Sequence, residues 1–76
     1  MDERIKNVMA AVFGILPEEL DDSASVDTVT QWDSLNSLNL ATALEDEFGV
    51  QFTDIELLEM VNFSIIKLTL LEKLPE

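Results

Sequence analysis

The sequence predicts an all-α domain of four helices, in which a long loop joins the first two helices and the third helix is short. Three observations support this prediction. Apolar residues recur at helical spacing, residues that can cap a helix stand before the helical segments, and no segment has the alternating pattern of a strand. The 76 residues are enough for one domain, residues 1–76, near the lower size limit for folding without disulfides or metals.

The composition excludes several kinds of site and partner. There is no cysteine, so disulfides and thiolate metal sites are ruled out. Sixteen acidic residues against four basic ones give a net charge of −12, which disfavours nucleic acid and anionic lipid and favours basic partners. The sequence shows neither a signal peptide nor an apolar run near the roughly 20 residues of a membrane span, so we expect a cytoplasmic protein without stable membrane insertion. We also expect a monomer.

The first helix is predicted over residues 2–14. Asp2 and Glu3 suit the positive N-terminal end of a helix, and Gly14 with Pro17 marks its end. Its apolar residues follow the i, i+3, i+4, i+7 spacing of one helix face and are Ile5, Val8, Met9, Val12 and Ile15.

The loop that follows, residues 17–32, has no sustained periodicity, and loops of this length are often functional or disordered. Its aspartates lack the alternating ligands, the sixth-position glycine and the final glutamate of an EF-hand loop, so no metal site is predicted. Four apolar residues are predicted to anchor the loop to the core: Leu20, Val26, Val29 and Trp32.

The second helix is predicted from Ser34, with Asp33 as its N-cap, to Phe48, where Gly49 provides the usual left-handed stop. At roughly 100° per residue this helix has two faces. The face predicted to point toward the core carries Leu40, Ala41, Leu44 and Phe48. The opposite face, here called the docking arc, combines leucines with acids in the manner of a docking surface and consists of Leu35, Leu38, Asn39, Thr42, Glu45 and Asp46. The alternative is that Leu35 and Leu38 pack beneath the 17–32 loop.

A brief third helix is predicted over about residues 54–60, after a connector over residues 50–53. Thr53 or Asp54 can serve as its N-cap. Its apolar positions are Ile55, Leu57, Leu58 and Met60.

A last helix is predicted over about residues 63–74, with Asn62 as its N-cap. Lys67 falls on or near its core face, while Ile65 and Leu68 point away from it. This arrangement could reflect a shifted helix, a dimer contact or a dedicated partner site. The predicted core face carries Phe63, Ile66, Leu70 and Leu74.

Ser34 is a serine that nothing in the chain can activate. The chain has no histidine and no cysteine, and its lysines lie outside the second helix and the preceding loop, so an enzyme is not expected. A serine on an exposed first turn is therefore predicted to be modified by another protein. The alternative is a helix-start residue in an acidic helical interaction module without a prosthetic group.

These residues resemble the acyl carrier protein family, whose prosthetic-group serine lies in an Asp-Ser-Leu motif at the start of the second of four helices. Asp33, Ser34 and Leu35 match that motif, and the resemblance continues through Leu38 and residues 43–50. It implies a four-helix acyl-carrier-type bundle whose Ser34 carries 4′-phosphopantetheine, installed by a phosphopantetheinyl transferase. Acyl groups would be held as thioesters on the terminal thiol of that arm.

The resemblance also implies partners and a cleft. Acyl-loading and acyl-transfer enzymes with basic patches are expected to bind the docking arc, in fatty-acid, polyketide or other specialised pathways. Asn36, Asn39 and Thr42 depart from the usual fatty-acid-synthesis pattern and leave the pathway open. In the family the acyl chain can fold into a cleft between the second and third helices, and the candidates for it here, which can equally be ordinary core residues, are Leu44, Phe52, Ile55 and Met60.

Overall fold

The computed structural model describes residues 2–74 and confirms the all-α prediction. A 3₁₀ turn at Pro17–Glu19 lies in the long connection between the first two helices. The only β-type pairing within residues 2–74 is an isolated antiparallel bridge between Ser25 and Asn62. The helices are α1 (Asp2–Phe13), α2 (Ser34–Phe48), α3 (Asp54–Glu59) and α4 (Phe63–Lys73).

Side-chain caps fix where the last three helices begin, as predicted. The Asp33 carboxylate accepts a hydrogen bond from the Asn36 N–H at 2.8 Å. Thr53, the cap of α3, accepts from the Glu56 N–H at 3.2 Å while the Glu56 carboxylate accepts from the Thr53 N–H at 2.8 Å, which forms a capping box. The Asn62 side chain accepts from the N–H of the third residue of α4 in the same way.

Two glycines end the first two helices. Gly14 and Gly49 have φ angles of 71° and 67°, in the left-handed region that other residues rarely adopt. At Gly49 the N–H donates to the Glu45 carbonyl at 2.8 Å, which closes the last turn of α2. The prediction for this end of α2 is confirmed, and α1 ends at Phe13, one residue earlier than predicted.

One apolar core lies between α1, α2 and α4. The predicted core faces of α1, α2 and α4 are confirmed in part, since five of their residues pack against the core but are only partly buried: Val8, Val12, Ile15, Phe48 and Leu74. No residue of α3 is buried, and its two flanking residues Phe52 and Met60 reach the core instead. The buried helical residues are Ile5, Met9, Ala10, Phe13, Leu40, Ala41, Leu44, Phe63, Ile66 and Leu70.

The long loop is anchored through three of the four predicted residues, since Leu20, Val29 and Trp32 are buried. The prediction is wrong for Val26, which is exposed: its N–H pairs with the Val61 carbonyl at 3.0 Å, and its side chain lines a surface groove. Within residues 2–74 no group of three or more acidic side chains is placed to hold a metal ion. None of the helices described in this range has the length and apolar content needed to cross a bilayer.

All four basic residues of the chain form ion pairs with carboxylates. Lys67 is partly buried and its amine pairs with Asp2. Helix α4 begins at the predicted residue and ends one residue early, so it is not shifted. Surface pairs of this kind contribute little to stability individually. Their main consequence is that no cation remains to neutralise the other acids, so the described surface is strongly negative. The pairs are Arg4–Glu47, Lys6–Asp22, Lys67–Asp2 and Lys73–Glu56.

The pair between Asp2 and Lys67 should make part of the stability depend on pH. Its oxygen and nitrogen are 2.9 Å apart, and the hydrogen bond from Lys67 holds the pKa of Asp2 below its ordinary value. A carboxyl with a lowered pKa in the folded state stabilises the fold above its unfolded pKa, and that contribution is lost as the pH falls through the folded pKa.

We predict that Asp2→Asn lowers the free energy of unfolding at neutral pH and that its difference from the wild type disappears in acid. Urea unfolding at about pH 7 and about pH 2 measures this, because the contribution of the pair is lost as the pH falls through the folded pKa of Asp2. Asp27→Asn removes the same charge from an exposed loop residue that forms no ion pair within residues 2–74, and it should cost less at pH 7. An Asp2→Asn difference that persists at pH 2 would contradict the assignment.

We also predict that Gly49→Ala destabilises the fold by about 1–2 kcal/mol, the cost of a left-handed residue with a Cβ. Apart from Gly49 itself and its two chain neighbours, nothing lies within 4 Å of the added Cβ, so the expected loss comes from backbone strain. Thermal unfolding measures the loss. Gly49→Asn should lose less, since asparagine enters this region more readily, and an equal loss in both variants would point to a different cause.

Candidate functional site

Ser34 is the first residue of α2, and its side chain is exposed. The turn around it is fixed by its neighbours: Asp33 caps the helix, and the Asn36 side-chain amide donates to the Gln31 carbonyl at 2.8 Å. The Ser37 N–H donates to the Asp33 carbonyl at 2.8 Å. None of these bonds uses the Ser34 hydroxyl, so it is held in a defined place and remains available.

Trp32 determines how the chain enters α2. Its side chain is buried, its ring centroid lies 5.4 Å from that of Phe13, and its indole N–H donates to the Ser37 Oγ at 3.0 Å. A buried indole N–H requires an acceptor, and the acceptor here belongs to the first turn of α2. Trp32 therefore ties the start of this helix to the core of α1. The sequence identified Trp32 as a core anchor and gave no sign of this bond.

The hydroxyl of Ser34 stands at the positive end of a 15-residue helix. At the start of α2 the Asn36 N–H bonds to the Asp33 carboxylate and the Ser37 N–H makes the first helical bond, to the Asp33 carbonyl. The N–H groups of Ser34 and Leu35, which a helix leaves unpaired, have no protein acceptor within residues 2–74. An anion at such a position is stabilised by about 0.3–1 kcal/mol. The site therefore favours a negatively charged group bonded to Ser34.

A groove of about 480 Å³ begins at Ser34 and extends between α2 and α3. Its polar lining residues are Asp33, Ser34 and Ser37, so the polar part of the groove is the end at the candidate serine. The rest of the groove is apolar and is lined by Val26, Trp32, Leu38, Leu57, Leu58, Met60 and Val61.

The lining of this groove differs from the predicted cleft. Met60 is the one predicted candidate on its wall. Leu44 and Phe52 are buried in the core, and Ile55 is 69% exposed outside the groove. The alternative given for these residues, ordinary core, therefore describes Leu44 and Phe52. The sequence missed the other wall residues because α3 has apolar side chains on several sides, and its spacing did not show which side turns toward α2.

The docking arc is exposed except at one position. Leu35 and Leu38 are 69% and 57% exposed, so they do not pack beneath the long loop. Asn39, Thr42 and Asp46 are also exposed. Glu45 is half-buried, and its carboxylate accepts a hydrogen bond from the Phe52 N–H at 2.9 Å. Of the two acidic residues of the arc, Asp46 is therefore the one exposed to a partner. Glu45 instead fixes the connector between α2 and α3.

The family model described as the phosphopantetheine attachment site matches residues 3–64. The chain belongs to this family. It is therefore a carrier domain that bears covalently attached 4′-phosphopantetheine. The match includes the start of α2 and the whole groove, whereas α4 lies beyond it apart from its first two residues. Membership also implies interaction with a phosphopantetheinyl transferase and with acyl-handling enzymes.

Proposed function

We propose that Ser34 is the attachment residue and that the carrier domain presents acyl thioesters to partner enzymes. The observation that carries this proposal is a comparison of the five serines. Four of them use their side-chain oxygen in hydrogen bonds within the described residues, whereas the Ser34 hydroxyl forms none. The four occupied serines are Ser23, Ser25, Ser37 and Ser64.

The surroundings of Ser34 fit a phosphodiester. The unpaired N–H groups of Ser34 and Leu35 can donate to phosphate oxygens, and the helix dipole favours their charge. Asp33 acts as the cap that exposes these groups, so its role is to position them. We assign the base that removes the proton from the Ser34 Oγ to the transferase: the chain has no histidine, every lysine is held by a carboxylate, and the adjacent Asp33 carboxylate is engaged by the Asn36 N–H.

The attached group supplies a terminal thiol on which acyl groups are carried as thioesters. The chain itself fixes where the arm is attached and provides a groove that can hold it. The groove lies within the 300–1,000 Å³ typical of ligand sites, and its polar end and apolar remainder suit an arm with a short acyl chain. Because the chain has no cysteine, no internal thiol competes for the acyl group. We infer a carrier role without catalysis by the chain itself.

We propose that basic partner enzymes bind the docking arc. Its exposed leucines offer apolar contacts beside Ser34, and Asp46 offers a charge that a basic patch can pair with. The surplus of acids on the described surface should also speed encounter with such partners. The pathway that we propose for the carrier is fatty-acid synthesis, polyketide synthesis or another specialised acyl-transfer route. The cytoplasmic location stays a prediction from the sequence.

The attachment proposal predicts that Ser34→Ala abolishes modification. Incubation with coenzyme A, Mg²⁺ and a promiscuous phosphopantetheinyl transferase should add one phosphopantetheine to the wild type, as measured by intact-protein mass spectrometry. Ser64→Ala is the matched control, since it removes a hydroxyl from an exposed residue in the first turn of another helix, α4, and should still be modified. Modification of Ser34→Ala, or none of the wild type, would refute the attachment site.

The docking proposal predicts that Asp46→Lys slows modification by the transferase. We expect a fall in kcat/KM of about threefold or more at low salt. The fall should be smaller at high salt, because exposed charges speed association by long-range attraction and salt screens that attraction. Glu72→Lys makes the same charge change on an exposed position of α4 and should have less effect. Equal rates for the two variants would remove Asp46 from the docking surface.

A further inference from the structure

We propose that Lys73, near the end of α4, is a positioning residue that holds α3 in place and thereby sets the opening of the groove beside Ser34. The consequence for bound acyl groups rests on the function proposed above. The mechanical part concerns the unmodified protein and can be tested without the prosthetic group.

Helix α3 is held mainly through its flanks. None of its six residues is buried, and Leu58 is 81% exposed. The flanking residues Phe52 and Met60 are buried and act as anchors on either side. A segment with so few buried contacts has low local stability, so single side-chain contacts can decide its position.

The C-terminal end of α3 is fixed by the backbone. The Val61 carbonyl accepts from the Val26 N–H at 3.0 Å, and the Phe63 N–H donates to the Ala24 carbonyl at 2.9 Å. These two bonds flank the bridge between Ser25 and Asn62 and join this end to the long loop. The other end of α3 has no such backbone pairing with the loop within residues 2–74 and is held by side chains, namely the Glu45 carboxylate on the Phe52 N–H and Lys73 on Glu56. Movement of α3 is therefore expected at this end.

Lys73 holds the N-terminal end of α3. Its Nζ lies 2.7 Å from a Glu56 carboxylate oxygen and 5.9 Å from the centroid of the Phe52 ring, so one side chain of α4 contacts both α3 and its anchor. The side chains of Lys73 and Glu56 are only 22% and 26% exposed, which screens their attraction less than that of a fully exposed pair. The hydrogen bond from Lys73 also lowers the pKa of Glu56.

The contact at Lys73 is linked to the groove through α3. Leu57 and Leu58 follow Glu56 directly and line the groove, whose other lining includes Trp32 and Leu38. Release of Glu56 should let this part of α3 move away from α2 and widen the groove. Lys73 lies beyond residues 3–64, the range that the family model matches.

The variant Lys73→Met tests the proposal, because methionine keeps a long apolar side chain and removes the charge. Lys73→Arg should restore the contact. The matched control is Lys6→Met, since Lys6 also pairs with a carboxylate, Asp22, and also lies over an aromatic ring, at 5.0 Å from the centroid of Phe63. All variants are measured as the full-length, unmodified chain.

Two measurements report on α3 and the groove. Amide hydrogen exchange measures the opening of α3, with α1 as an internal reference for global stability. Acrylamide quenching of the single tryptophan, which is buried and lines the groove, measures the groove itself. In Lys73→Met we expect exchange in α3 to rise about three- to fivefold, the range that one ion pair can produce, with unchanged exchange in α1 and stronger quenching of Trp32.

The outcomes separate the alternatives. Wild-type values in Lys73→Arg and Lys6→Met, together with the changes in Lys73→Met, support a positioning role. Unchanged α3 exchange in Lys73→Met, or equal changes in Lys6→Met, overturn it. Mass spectrometry of the same variants after transferase treatment keeps the two proposals apart: if Ser34 is modified but α3 does not respond, only the role of Lys73 falls, and the reverse result removes only the attachment site.

Discussion

The burial of Trp32 is the constraint on which the site depends. Its ring packs against Phe13 in the core, so the chain must enter α2 from a fixed point. Its indole N–H needs an acceptor, and the Ser37 Oγ supplies one from the first turn of the helix. Ser34 lies between these two residues and is thereby exposed at the start of α2 with its own hydroxyl unbonded. An apolar contact in the core thus determines the accessibility of a surface hydroxyl.

The charges of the chain divide into two groups with different roles. The four cations lie on α1 and α4, and each holds an acid from another part of the fold. They act as links between segments, of which the pair between Lys73 and Glu56 is the one that reaches α3. The remaining acids have no cation to pair with. Their charge faces outward, where it can act on a basic partner but adds self-repulsion to the fold.

Glu45 shows why residues that share a helix face by their spacing are not all exposed on the surface of the folded protein. Its position on α2 places it with Asp46 on the docking arc, yet its carboxylate binds the Phe52 N–H and is half-buried. Phe52 comes seven residues later, and only the folded connector brings its N–H to this carboxylate. The same reasoning applies to Val26, whose apolar character predicted burial but whose N–H is paired with Val61 at the edge of the groove.

Local chemistry, read from the sequence alone, determined where the helices begin and end and placed the candidate serine at the start of α2. Capping side chains and helix-ending glycines act within a few residues, so Asp33, Gly49 and Asn62 were assigned correctly. The core faces of α2 and α4 follow from periodicity. The tertiary structure alone decided the groove, because its walls come from the long loop, from α2 and from α3. It also decided that α3 buries none of its own residues, and that Lys73 reaches Glu56 from the end of the chain. These features depend on contacts between distant segments, which no local pattern records.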